Sequence, residues 1–142
     1  MAEKTVILRL EGSVEKPTFF TFDELDALCS TCKVDDVGKI VQGWSGEAVW
    51  LKAVLKQAKP TPQATHATFH STDGFAASVP IDQLTDGVII YKKDGAPLGE
   101  KLGGPLRLFL PKGPSFCSNI KRLSRVELTM GEGKDTTPEE SH

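Results

Sequence analysis

The sequence predicts an α+β domain of mixed sheets with a few short helices. Three observations predict it: stretches of strand periodicity outnumber helical ones, the helices between them are brief, and the two kinds follow one another in no regular order. At 142 residues the chain is one domain's worth, long enough to bury roughly 68–70% of its unfolded surface. We expect that domain to fill residues 1–130. Residues 131–142, GEGKDTTPEESH, carry no apolar side chain worth burying and are expected to form a disordered tail.

Val6 to Leu10 reads as a first strand, with Glu11-Gly12-Ser13 as its exit turn. Thr21 followed by Glu24 matches a capping box, and Phe22, Leu25, Leu28 and Cys29 then share one face of a short helix running to Cys29. Val34 to Val41 is expected as a mixed edge strand. It leads into Ile40 to Leu55, IVQGWSGEAVWLKAVL, the stretch around which the rest is arranged. There an apolar pair, Ile40 and Val41, enters a Gly-Trp-Ser-Gly turn. The chain leaves it as a helix carrying Trp50, Leu51, Val54, Leu55 and Ala58 at helical spacing. Pro60 and Pro62 end that helix in a loop.

Ala67, Phe69 and Ser71 alternate with Thr68, His70 and Thr72 as in a strand, and Asp73-Gly74 turns the chain into a second short strand, Ala76 to Val79. Pro80 stands at the first position of a one-turn helix, Ile81 to Leu84. Val88 to Tyr91 is apolar enough for a buried strand ending at Asp94-Gly95. A glycine-rich loop, Leu98 to Pro105, precedes a strand over Leu106 to Leu110, and Ile120 to Thr129 forms the last strand.

Charge and composition exclude several functions. The 17 basic and 19 acidic residues give a net charge of -2, no footprint for nucleic acid or an anionic membrane. No apolar run reaches the length of a membrane span, and Arg9 interrupts the N-terminal one, so no secretory signal is expected. The expected compartment is the cytoplasm, or the periplasm if a signal has been removed. Cys29 and Cys32 form a C-x-x-C that closes a helix instead of opening one, where a helix dipole would activate a thiol. With Cys117 the count is odd, and His66 and His70 share a strand face by parity alone. Structural, reduced thiols are therefore expected in place of a disulfide framework or a zinc site.

Candidate binding residues lie in three segments. Gly43, Trp44 and Ser45 form the first turn, where backbone N–H groups can approach an anion; a tryptophan between glycines serves equally as a core anchor. Asp73 and Phe75 belong to the second. Ser118, Asn119 and Lys121 stand in the third, opposite the Gly103-Gly104-Pro105-Leu106-Arg107 loop. Arg107 lies between Leu106 and Leu108. A guanidinium there is unfavourable unless paired, and a carboxylate or phosphate would pair it, although it could also point outward. Lys121 suits a phosphate but reads equally well as a solvated lysine. No catalytic and no metal-ligating residue is assigned.

The runs DGFAASVPIDQL, VIIYKKDGAPLGEKLGGPLRLFLP and SNIKRLSRVEL, with GWSG…W…LKAVL upstream, resemble the molybdopterin-binding domain of the sulfite oxidase superfamily. The resemblance covers roughly residues 19 to 129 in the same order. It implies that fold and a pterin or molybdopterin cofactor. It also implies that a metal-binding cysteine should stand four residues before Trp44, where this chain has Ile40, and a tyrosine where it has Phe75. By the same resemblance, the family's N-terminal cofactor-binding segment, with its Arg and His residues, is expected to have no counterpart in this sequence. The chain is in these respects similar to short pterin-binding sensors of the same fold. The resemblance thus implies a noncatalytic pterin binder, acting as sensor, carrier or regulatory subunit, with molybdenum not expected. The alternatives are a small molybdenum oxidoreductase or a subunit of one, and a ligand-free interaction module. A pterin would stack on Trp44 or Phe75 and present its amino-oxo edge to Asp73, with Glu47 in reserve. The same two carboxylates read equally as a turn residue and a helix-start residue. The implied partners are a small-molecule pterin and a signalling protein or larger oxidoreductase.

Overall fold

The computed structural model describes residues 6–28, 30–41, 43–84, 86–111 and 119–131, with Glu100 described by its backbone alone. In chain order the strands and helices are β1 (Val6–Gly12), β2 (Thr18–Thr21), α1 (Phe22–Asp26), β3 (Lys33–Val34), β4 (Glu47–Trp50), α2 (Leu51–Ala58), β5 (His66–Ser71), β6 (Ala76–Pro80), β7 (Val88–Lys93), β8 (Ala96–Pro97), β9 (Arg107–Phe109), β10 (Asn119–Ile120) and β11 (Leu123–Thr129). One-turn 3-10 helices stand at Ser30–Cys32, Val37–Lys39, Ile81–Gln83 and Glu100–Leu102. The α+β expectation, mixed sheets with few short helices, holds.

The first sheet has the order β2-β1-β11-β5-β6, and the second β10-β9-β7-β4-β3 with β8 on β7. β1 and β11 pair in parallel, Arg9 opposite Arg125 and Leu10 opposite Val126; the other described strand pairs are antiparallel. Alternation fixes the faces of the first sheet. Leu8, Leu10, Phe69, Val126 and Leu128 turn into the main core, while Arg9, Glu11, Arg125 and Glu127 stay at least partly in water. The second sheet is covered on both sides, which is why VIIY of β7 is apolar without a break. Ile89, Tyr91 and Leu108 face the main core with Leu51, Val54, Leu55 and Ala58 of α2. Val88, Ile90, Phe109 and Ala48 face a smaller cluster, with Val34, Val37 and Leu98, against which Ile40, Val41, Trp44 and Trp50 pack.

Several expected boundaries move. The capping box at Thr21 and Glu24 forms in both directions, but α1 ends at Asp26, short of Cys29. The edge strand expected over Val34 to Val41 is reduced to Lys33–Val34, because the Asp36 carboxylate accepts the Gly38 N–H at 2.9 Å and closes a 3-10 turn. Ile40 therefore ends a helical turn, its N–H donating to Val37 O at 2.9 Å, and does not end a strand. Trp50 belongs to a strand, and the helix begins at Leu51. Pairing of Glu47–Trp50 between β3 and β7 overrides the helical spacing. Gly46 is required here: its φ is +124°, and a Cβ would stand 2.7 Å from Lys92 O. Pro80 caps the 3-10 turn from outside it. The strand expected over Leu106 to Leu110 narrows to Arg107–Phe109. The last strand breaks at Lys121 and Arg122, the latter with φ of 55°. Cys32 is disulfide-bonded, which corrects the expectation of reduced thiols. The other two cysteines, Cys29 and Cys117, lie outside the described residues, as do Ser118 and the expected tail beyond Gly131.

Candidate functional site

Arg107 and Phe109 are two apart on β9 and so share a face, the one turned to the smaller cluster. The turn from Val37 to Gly46 lies over that face, held by the Val37 N–H donating to Gly46 O at 2.9 Å and the Trp44 N–H to Val41 O at 3.2 Å. It sets the Trp44 ring where both β9 side chains meet it. The Arg107 guanidinium carbon is 4.3 Å from the Trp44 ring centroid and 5.5 Å from that of Phe109. The two rings meet edge to face at 5.2 Å.

Arg107 points inward, against the outward alternative: it is only 9% exposed. Its Nε donates to Asn119 Oδ1 at 2.8 Å and its Nη1 to Leu102 O at 3.0 Å. Both acceptors are neutral, and no carboxylate among the described side chains lies within ion-pair distance of it. Burial alone draws its pKa below the ordinary arginine value. The group remains a cation at any working pH, half compensated by ring faces and dipoles.

Gly103 brings the third segment to this cation. It adopts φ of +87°, and a Cβ on it would stand 3.1 Å from both Arg107 Nη1 and Lys121 Cγ. Its carbonyl accepts the Arg122 N–H at 2.7 Å. The Arg122 carbonyl in turn accepts the Thr72 N–H at 3.0 Å, and its guanidinium lies 3.7 Å from Asp73 Oδ2. Trp44, Arg107, Asn119, Gly103, Lys121, Arg122 and Asp73 therefore form one chain of neighbours across the two sheets.

Not every expected residue faces that cation. Gly43 and Ser45 are exposed on either side of Trp44, and Lys121 is exposed beside Gly103. Asp73 staples its own turn, accepting from Ser71 Oγ and from the Phe75 N–H, so its pKa falls below the usual carboxylate range, chiefly through the Ser71 hydroxyl. Phe75 packs half-buried against the main core, whereas Trp44 packs against the smaller cluster, and the two are not among the described ring pairs. Glu47 opens β4 and lies 3.8 Å from Lys92.

Two features escaped the sequence. Phe109 completes the aromatic seat of Arg107, and period-2 spacing from Arg107 was the signal for it. Tyr91, fully buried, donates its hydroxyl to Asp26 Oδ1 at 2.7 Å, and Lys92 reaches the same carboxylate at 3.4 Å. Burial first, then Asp26, pushes the Tyr91 pKa far above the ordinary phenol value. The Tyr91 hydroxyl in turn is the main reason the Asp26 pKa is lowered. No local signal could pair residues so distant in sequence. Among the described residues no group of three or more His, Cys, Asp or Glu side chains is placed to hold a metal, and no helix there is long and apolar enough to cross a membrane.

The fold has solved counterparts. The sulfane dehydrogenase SoxCD from Paracoccus pantotrophus superposes with a TM-score of 0.67 over 93% of this chain at 18% identity, a likeness of fold. This chain spans 40% of that one. No curated protein matches the sequence. The family described as the oxidoreductase molybdopterin binding domain matches residues 1–137, nearly the whole sequence and more than the motifs quoted above. On that match, the chain belongs to the oxidoreductase molybdopterin binding domain family.

Proposed function

We propose that this chain binds a pterin or molybdopterin without oxidising a substrate itself, as a sensor, carrier or regulatory subunit. One observation carries the reading: the buried Arg107 has only neutral partners among the described residues; the resemblance, which would set Ile40 where the family has its metal thiolate, supports it. A buried cation with neutral partners is poised for an anion, and the phosphate of a pterin cofactor would pair it bidentately. Arg107, Asn119 and Lys121 would hold that phosphate, and the Trp44 ring would flank the flat heterocycle. Because Arg107 covers one face of Trp44, the heterocycle would lie on the other face or on the guanidinium plane.

The metal fits less well. Ile40 is aliphatic, half-buried and packed on the smaller apolar cluster, and Cys32 is held in a disulfide, so neither offers a thiolate. Asp73 and Glu47 are engaged by Ser71, Arg122 and Lys92, so the amino-oxo edge would be read by backbone groups of the Trp44 turn in preference to either carboxylate.

A second reading draws on the SoxCD likeness. Since this chain spans 40% of that dehydrogenase chain, it could act as the pterin-holding part of a larger oxidoreductase, with the metal ligand supplied from elsewhere. The disulfide at Cys32 favours an oxidising compartment such as the periplasm over the cytoplasm.

Mass spectrometry of whatever the natively expressed protein releases on denaturation, with molybdenum determined on the same sample, tests these readings. A metal-free pterin is the expected outcome. Stoichiometric molybdenum would make the chain an oxidoreductase component, and no pterin at micromolar affinity would end the ligand-binding reading.

A further inference from the structure

A second concave site lies on the outward side of α2 and shares no residue with the Trp44 and Arg107 cluster. It is a cleft of about 700 Å³, within the range of small-molecule sites, roughly 300–1,000 Å³. Four lysines line it, Lys16, Lys52, Lys56 and Lys59, together with Gln57, Thr31 and the disulfide-bonded Cys32. The described lining holds neither a carboxylate nor an aromatic ring.

The helix accounts for the arrangement. Leu51, Val54, Leu55 and Ala58 bury one stripe of α2. Lys52 and Lys56, four positions apart, fall together on the outward side, and Lys59 follows as the left-handed C-cap, with φ of 54°. Lys16 is brought to them by backbone hydrogen bonding: its N–H donates to Ala58 O at 3.0 Å, and the Glu15 N–H donates to Lys59 O at 2.8 Å.

Lys52 stands over the Trp50 ring at 5.6 Å from its centroid; none of the four lysines has an anionic partner among the described residues. Cations near a helix C-terminus commonly serve its free carbonyls, but here several of those carbonyls have backbone donors already. Lys56 O accepts from the Lys59 N–H at 3.3 Å, and Ala58 O and Lys59 O accept from the turn before β2. Among the described residues none of the four ammonium groups lies within 4.0 Å of a carboxylate. Like charges gathered in one cleft repel one another, in a chain whose net charge is -2.

We propose that this cleft binds a compact polyanion of the oligophosphate class, either free or as the phosphate end of a nucleotide. Four point charges around a cavity match several phosphate groups better than one. With no ring in the described lining to stack on, the site reads charge and ignores a base. The proposal does not depend on the pterin reading.

Isothermal titration of the full chain with inorganic triphosphate at low ionic strength tests it. Saturable binding that weakens steadily as salt is added is expected. The Lys52→Gln/Lys56→Gln double variant should keep the wild-type melting temperature and lose at least about tenfold in affinity. A Lys39→Gln/Lys101→Gln double variant, with the same charge change elsewhere on the surface, should stay within about twofold of wild type. ATP binding as tightly as triphosphate would assign the phosphate end of a nucleotide; weaker ATP binding would assign a free oligophosphate. No saturation up to about 1 mM, an unchanged affinity in the first double variant, or an equal loss in both variants would overturn the proposal.

Discussion

Arg107 and Arg125 are both strand arginines, and they meet opposite surroundings. Arg125, on the water side of β11, stands among Glu11 at 3.5 Å, Glu127 at 3.9 Å and the His70 ring at 3.1 Å, with its side chain 39% exposed. Arg107, in the second sheet, is buried against two rings, an amide oxygen and a carbonyl. The surface arginine has its counter-charges and water. The buried one has dipoles and π faces in place of counter-charges, so an anionic ligand would gain most by reaching it. A guanidinium's depth is therefore less informative than the charge of its partners.

Substitutions can break or sharpen that contrast. The largest effect is expected at Arg107. Arg107→Ala strips two charge-assisted hydrogen bonds and the packing on Trp44 and should lower unfolding free energy by about 3 kcal/mol in urea titrations, with complete loss of pterin binding. A loss no larger than at Arg125 would erase the contrast. Trp44→Ala follows at about 2 kcal/mol, because the ring is only half-buried; equilibrium dialysis should show a proportionally greater loss of pterin. Tyr91→Phe should come third at about 1 kcal/mol by thermal melting, for one lost buried hydrogen bond. Arg125→Ala should change stability by less than about 0.5 kcal/mol, as exposed pairs do.

The Tyr91 variant also carries a pH signature. Asp26 has its folded-state pKa lowered, first by the Tyr91 hydroxyl. Its contribution is therefore present above its unfolded pKa and disappears as pH falls through the lower, folded one. Melting temperature in wild type should thus decline through the acid range below the usual carboxylate value, and Tyr91→Phe should flatten that decline. An unchanged acid limb would remove Tyr91 as the cause.

Much of the fold could be read locally. The Thr21 capping box, the alternation of β5, the Asp73 and Asp94 turns and the unbroken apolar run of β7 each declare themselves within a few residues. Where tertiary pairing decided, local reading failed. Glu47–Trp50 has helical spacing yet is drawn into a sheet between β3 and β7, and Thr18–Thr21 is a strand only because β1 lies beside it. The site divides the same way. Trp44, Arg107 and Asn119, picked from motif and burial logic, do come together. Asp73 is engaged by its own turn through Ser71 and the Phe75 N–H, and Arg122, from the far end of the chain, stands beside it at 3.7 Å.

The parallel pairing of β1 with β11 has a consequence for biosynthesis. β1 is an inner strand of its sheet, yet one of its two neighbours, β11, is the last of the described strands to be translated. Until that strand leaves the ribosome, the hairpin of β1 and β2 has an open edge and Leu8 and Leu10 lack part of their cover. Closing so long a loop carries an entropic penalty before any native contact offsets it. The nascent chain can therefore complete this sheet only once Leu123–Thr129 is free to pair, and a message truncated before Leu123 yields a product in which β1, paired with β2 alone, is an open edge of the kind that recruits other chains.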